Sequence, residues 1–164
     1  MAQMSNHAQI DEDGKYGIAD GIQTVKVVRA HAAEWGVSPV RIVFTGFSAG
    51  GMITDFTAMQ PDARPSYAAP IYGAPISHVP QIPQALPPFF MAMAQDDNLA
   101  GTYIVAFYDA LKAAGYKAEF HVFSAGAHGW GMRKQGTSSD HWIDEFYYWL
   151  EAQGLTRPPK QPAA

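Results

Sequence analysis

The pentapeptide Gly46-Phe47-Ser48-Ala49-Gly50 is the place in this chain where chemistry is most readily written. A G-x-S-x-G pattern needs a strand that turns sharply into a helix. That turn lifts the serine hydroxyl clear of a sheet, and its backbone strain tolerates only small neighbours at two positions. The helix that follows offers the Ala49 backbone N–H and its positive end to a developing oxyanion. Its bland reading is a glycine-rich turn with an incidental serine. The context favours the chemical one: an apolar run from Val40 to Phe47 precedes it, and a helical stretch from Gly50 to Met59, broken by Pro61, follows.

A serine hydroxyl is a poor nucleophile without a base. The chain holds six histidines: His7, His31, His78, His121, His128 and His141. His7 falls in a polar start, His31 in a helix, His121 within a strand and His141 in the first turn of the last helix, so surface or packing roles suit them. His128 stands in Gly126-Ala127-His128-Gly129-Trp130-Gly131, just past a strand. Functional groups of open parallel sheets gather at that C-terminal edge. The competing reading is a solvent-exposed loop histidine.

A base needs an acid to fix its tautomer and stabilise the imidazolium. Asp96 and Asp97 follow the apolar run Phe89–Ala94, again at a C-terminal strand end. One of them is expected to face the imidazole and the other to cap the turn or the next helix. Either choice gives the chain order Ser, Asp, His of α/β-hydrolases. Phe47, Met52 and Trp130, beside these groups in sequence, are expected to shape an apolar pocket.

The elements that must position these groups can be read from periodicity. Ile18, Ile22, Val25, Val28, Ala32 and Trp35 recur at helical spacing and end at Gly36. Val40–Phe47 reads as a strand buried on both faces, as parallel strands are. Tyr67–Tyr72, Phe89–Ala94 and Lys117–Ser124 read as further strands. Thr102–Ala114 and Ser139–Gln153 read as helices, the latter with Trp142, Phe146, Trp149 and Leu150 facing in. Pro75, Pro80, Pro83, Pro87 and Pro88 impose a stiff irregular loop whose Ile76, Val79, Ile82 and Leu86 could line an apolar entrance. The alternation predicts an α/β domain with a mostly parallel sheet of about four strands flanked by helices. The expected layout is a polar segment at 1–15, one domain over 16–155 and a proline-bearing tail at 156–164.

Composition narrows the function classes. With 48% hydrophobic and 16% charged residues among 164, the chain can fill a single core. The absence of cysteine removes disulfides, thiolate metal sites and thiol nucleophiles, and fits a reducing compartment. A net charge of −4 without a basic cluster speaks against nucleic acid. Residues 1–15 lack the apolar region of a signal peptide, and no run is long enough to span a bilayer, so a soluble, cytoplasmic protein is expected. Asp11-Glu12-Asp13-Gly14 lacks the alternation of a calcium loop, and His141-Trp142-Ile143-Asp144-Glu145 is not a zinc helix.

From about Tyr16 to Leu155 the chain resembles the C-terminal part of acetyl-esterase-like α/β-hydrolases, the carboxylesterase and lipase branch. Three segments carry the resemblance: Arg41-Ile42-Val43-Phe44-Thr45-Gly46-Phe47-Ser48-Ala49-Gly50-Gly51 at the elbow, Ala94-Gln95-Asp96-Asp97-Asn98-Leu99 at the acid, and Gly126-Ala127-His128-Gly129-Trp130-Gly131 at the base. It implies Ser48 as nucleophile, Asp97 as acid and His128 as base, with ester hydrolysis through an acyl-enzyme and no cofactor or metal.

The same resemblance implies further strands ahead of the first helix and a His-Gly-Gly loop donating the second oxyanion hydrogen bond. Neither stands in residues 1–47. One missing oxyanion donor costs about 10²–10³ in rate. The elbow strand would then be an exposed sheet edge, which pairs readily with another chain, so a homo-oligomer covering that edge is expected. Competing functions are an inactive remnant that binds a ligand or partner, and a serine peptidase.

Overall fold

The computed structural model describes residues 4–76 and 78–156, with side chains from Gly14 onward. The proline-bearing tail expected at 156–164 lies outside the described residues from 157 on, as does the His7 side chain.

Helix α1 (Met4–Ala30) is far longer than the apolar stripe from Ile18 suggests, because the polar stretch ahead of the stripe is helical from Met4. A short α2 (Ala32–Trp35) follows a break at His31. Strand β1 (Val43–Phe47) leads into α3 (Ala49–Ala58), then come β2 (Tyr67–Ile71), β3 (Phe89–Ala94), α4 (Gly101–Ala113) and β4 (Ala118–Phe123). A 3₁₀ turn (Ser138–His141) opens onto α5 (Trp142–Ala152). The break at His31 undoes one part of the expected stripe: Val25 and Ala32 are buried, but Trp35 is 51% exposed and stacks on His31 instead of the core.

The four strands pair in the order β1-β2-β3-β4, all parallel. β3 is buried at every residue, and β2 at all but its first. β1 corrects the expectation of a strand buried on both faces. It starts at Val43 rather than Val40, which is 73% exposed, and only part of it is shielded. The reason is its place at the sheet edge, with a neighbour on one side only among the described residues.

The core joins Ile71, Phe89, Phe90 and Met91 of the sheet to Ile104, Phe107 and Leu111 of α4 and to Trp142 and Trp149 of α5. Tyr147 and Tyr148 of α5 point outward. Adjacent residues of β3 serve the two faces: Phe89 meets Phe107 of α4, and Phe90 meets Phe146 and Trp149 of α5, while α1 lies against α3. Their approach is close: a Cβ on Gly21 would fall 2.5 Å from Thr57 Oγ1. The proline-bearing loop between β2 and β3 has no regular structure, and Tyr116 pins it by donating its hydroxyl to the Pro83 carbonyl at 2.8 Å.

Among the buried polar groups without a partner, Thr57 Oγ1, Trp130 Nε1 and the Asp55 carboxyl, the acid matters most. Asp55 of α3 is wholly buried, and neither carboxyl oxygen has a hydrogen-bond partner among the described residues. Desolvation pushes its pKa well above the usual carboxylate range. The folded value lies above the unfolded one, so the neutral acid's contribution is complete below the ordinary aspartate pKa and is lost as pH climbs through the raised value. Asp55→Asn is therefore expected to flatten the fall of stability on going from acid to neutral pH. Urea midpoints measured across that range check it; parallel curves for the two proteins would contradict it.

Candidate active site

The turn between β1 and α3 holds Ser48 at φ 56° and ψ −118°, a region a non-glycine residue rarely occupies. Such strain costs about 1–3 kcal/mol and survives only where the surroundings fix it. Here Ser48 N–H donates to the Ile71 carbonyl at 3.0 Å, and the Ser48 carbonyl accepts from Gly51 and Met52 at 2.9 and 3.1 Å. A side chain at Gly46 would place its Cβ 2.1 Å from the Gly50 carbonyl oxygen, and one at Gly73 would lie 2.1 Å from the Ser48 oxygen. Gly50, by contrast, has open space around it. The close approaches that the elbow demands are thus at Gly46 and, from the neighbouring strand, at Gly73.

Three distant stretches meet at the C-terminal edge of the sheet. The Ser48 hydroxyl lies 2.7 Å from His128 Nε2, and His128 Nδ1 lies 2.8 Å from Asp97 Oδ2. The Asp97 carboxylate can only accept from Nδ1–H, which leaves Nε2 free to accept the hydroxyl proton. Asp97 is fully buried at its side chain, while that of His128 is 21% exposed. The second carboxylate oxygen of Asp97 accepts from the Leu99 and Ala100 N–H groups, both at 2.9 Å, which locks its rotation at the entry to α4.

The pair of aspartates divides the work in a way the residues alone left open. Asp97 faces the imidazole and also holds the turn that leads into α4. Asp96 accepts from the Ala127 N–H at 2.7 Å and the Gly126 N–H at 3.3 Å, so it holds the turn that carries the histidine. Ala127 in that turn is itself strained, at φ 54°.

A small cavity of about 90 Å³ opens on the Ser48 hydroxyl. Ala49, the first residue of α3, lines it. Its N–H, as one of the first four of a helix, has no acceptor within the helix. Of the expected pocket residues, Met52 lines the cavity and Phe47 and Trp130 do not. Phe47 turns away onto the edge of Trp142, at 5.6 Å between ring centroids, because successive residues of a strand end face opposite sides. Trp130 is 1% exposed, packed on Tyr72 at 4.7 Å as part of the core.

Ile76 lines the cavity as expected of the proline-bearing loop, but Val79 faces solvent and Ile82 and Leu86 pack on the core. Sequence reasoning missed Tyr72, Gly73, Ala74, Leu99 and Ala100 as cavity residues. Only the position of Tyr72 at the end of a predicted strand, with Gly73 just past it, could have pointed to the first two. Burial pushes the Tyr72 phenol above its ordinary pKa, against the opposing pull of the Gly131 N–H and the Arg133 guanidinium.

Three other histidines have partners of their own: His31 pairs with Glu34, His121 with Glu119 and His141 with Asp144. Among the described residues, no group of three or more histidine and acidic side chains could hold a metal ion, and no helix is long and apolar enough to cross a membrane.

Known proteins share this architecture. The chain is 23% identical to an acetylxylan esterase of Xylanibacter ruminicola over 169 residues, covering 82% of this chain and 35% of that protein. Among solved structures it is similar to MGS-M1, an α/β hydrolase enzyme from a Medee basin deep-sea metagenome library, at 24% identity and a TM-score of 0.75, with 82% of this chain and 63% of that one covered. It is also similar to Thermogutta terrifontis esterase 2 phosphonylated by cyclosarin, at 25% identity and a TM-score of 0.72, with 86% and 65% covered. The chain thus spans about a third of the curated relative and somewhat less than two thirds of these structures. A match over residues 6–151 shows that the chain belongs to the dienelactone hydrolase family, with the α/β-hydrolase fold.

Proposed function

We propose that this protein is a serine carboxylic-ester hydrolase acting on short acyl esters through an acyl-enzyme. The observation that carries the reading is the continuous chain of hydrogen bonds from the Ser48 hydroxyl through His128 to buried Asp97, opening on a cavity. Ser48 Oγ attacks the ester carbonyl as His128 Nε2 takes its proton, and Asp97 stabilises the imidazolium. The Ala49 N–H and the positive end of α3 meet the charge that develops on the carbonyl oxygen. Collapse expels the alcohol, which receives the proton from His128, and water then releases the acid by the same steps.

The small apolar cavity, walled by Met52 and Ile76, supports a short acyl group. So does the esterase neighbour, which has been solved with butyrate bound. That the same neighbour is phosphonylated by cyclosarin supports a direct test. A fluorophosphonate probe is expected to label the protein at Ser48, and p-nitrophenyl acetate to be turned over much faster than a peptide amide. No labelling at all would favour an inactive remnant, and faster amide cleavage a peptidase.

The place of β1 supports a second part of the proposal. Ala49 supplies one backbone donor, and among the described residues β1 has a strand neighbour on only one side. We propose that a second copy of the chain covers this edge and that catalysis stays slow, by about 10²–10³, where no second donor is supplied. Light scattering is expected to show a dimer or larger species; a stable monomer would contradict the pairing. The protein is further read as a cytoplasmic enzyme needing no cofactor, with the ester as its small-molecule partner.

A further inference from the structure

We infer that Tyr72 is a positioning residue that sets the imidazole of His128 against the elbow serine. This inference rests on the hydrolase reading above. Tyr72 lies just past β2, and its backbone is fastened on both sides. Its N–H donates to the Ala92 carbonyl of β3 at 2.8 Å. Its chain neighbours hold the elbow: the Ile71 carbonyl accepts from Ser48 N–H at 3.0 Å, and Gly73 leaves no room for a Cβ against the Ser48 oxygen. The Tyr72 backbone is therefore part of the same rigid corner as the nucleophile.

The side chain reaches the other partner. The Tyr72 ring meets the His128 imidazole at 5.2 Å between centroids and an interplanar angle of 69°, and it meets Trp130 at 4.7 Å and 67°. Its hydroxyl lies against Gly131, 3.5 Å from where a Cβ on that glycine would stand. One side chain thus touches the base and two residues that follow it in the same loop. Loop residues are the mobile part of a site like this one, and a displacement of even 1 Å between reacting groups costs catalysis heavily.

The backbone supports the same reading. Tyr72 sits at φ 38°, where a side chain is unfavourable, yet a tyrosine and not a glycine occupies it. Strain of this kind persists where surrounding structure enforces it and clusters at functional sites. The residue is 4% exposed, and its ring still lines the cavity beside Ser48 and His128. Only a side chain both flat and long could fill the space under the imidazole and anchor the loop beyond it.

The experiment compares wild type with Tyr72→Phe and Tyr72→Leu. Tyr72→Phe keeps the ring and loses only the hydroxyl that lies against Gly131, so it is expected to lower kcat by about threefold to tenfold. Tyr72→Leu loses both and is expected to lower kcat by about 10²-fold, the scale of a misplaced reacting group. In both, KM is expected to stay within about threefold, because the imidazole acts in the transition state and not in ground-state binding. Circular dichroism and thermal melts monitor folding, and rates are normalised to the sites that a fluorophosphonate eventually labels. A merely structural residue would lower the melting temperature and leave kcat per labelled site unchanged, and that result overturns the inference. So does a loss confined to KM. If Tyr72→Leu does not fold, the nearly isosteric Tyr72→Phe decides alone, and kcat per site equal to wild type counts against the proposal. Failure of the wild-type protein to label at all would sink the hydrolase reading and this inference with it, whereas labelling of wild type and both variants at one rate sinks only the inference.

Discussion

Ser48→Ala is expected to lower kcat for p-nitrophenyl acetate by about 10⁶-fold, the scale seen when a triad nucleophile is removed from a serine hydrolase. The hydroxyl is 2.7 Å from His128 Nε2 and opens on the cavity, so its loss removes the attacking atom and leaves the base with nothing to activate. The other hydroxyl at the cavity, that of Tyr72, lies against Gly131, and burial pushes its pKa above the ordinary phenol value, so it offers no substitute. Folding should be little affected, since alanine occupies the same φ of 56° with the same strain. Ser48→Gly should be equally inactive yet more stable, by about 1–3 kcal/mol, because glycine relieves that strain. Turnover per molecule and urea melts of both variants check the pair. Activity of Ser48→Ala within tenfold of wild type would mean that another group attacks.

How much of this was legible in the sequence depends on how local each signal is. The elbow could be read because strand, glycines, serine and helix are consecutive, and the order Ser48, Asp97, His128 because each follows a short strand. Three of the four strands showed themselves as apolar runs; the fourth, with Glu119 and His121 in it, is mixed. The half-exposure of β1 was not legible: apolar residues announce a wish to be buried, but which strand lies at the edge is fixed by pairing with residues far away in the chain. The extent of α1 was hidden because its first residues carry no apolar stripe and are helical all the same. Trp35 keeps the right spacing but falls beyond the break at His31, which turns it out of the face that spacing assigns to it. Tyr72 was missed because nothing near it in sequence indicates a contact with a histidine loop that follows two strands later.

The two adjacent aspartates were equally plausible acids by sequence, and their geometry separates them sharply enough to test. Asp97→Asn is expected to lower kcat by about 10⁴-fold. The oxygen of Asp97 that faces α4 accepts from two N–H groups, Leu99 and Ala100, so an asparagine must present its carbonyl oxygen there. Its NH₂ group is then turned to His128 Nδ1, where only an acceptor is tolerated. The imidazole must carry its proton on Nε2 instead, 2.7 Å from the Ser48 hydroxyl, and cannot take a second one from it. The variant keeps its bonds to the turn before α4 and its shape, so stability should change far less than rate. Asp96→Asn meets a different situation. Both Asp96 oxygens accept from backbone N–H groups, and asparagine keeps the shorter of these bonds, to Ala127, while losing the longer one to Gly126. The histidine stays in its working tautomer on a looser turn, and a loss of about tenfold is expected, comparable to one neutral hydrogen bond. Steady-state kinetics on the two single variants decide the assignment: if Asp96→Asn proves the more damaging, Asp96 and not Asp97 is the carboxylate that serves the imidazole.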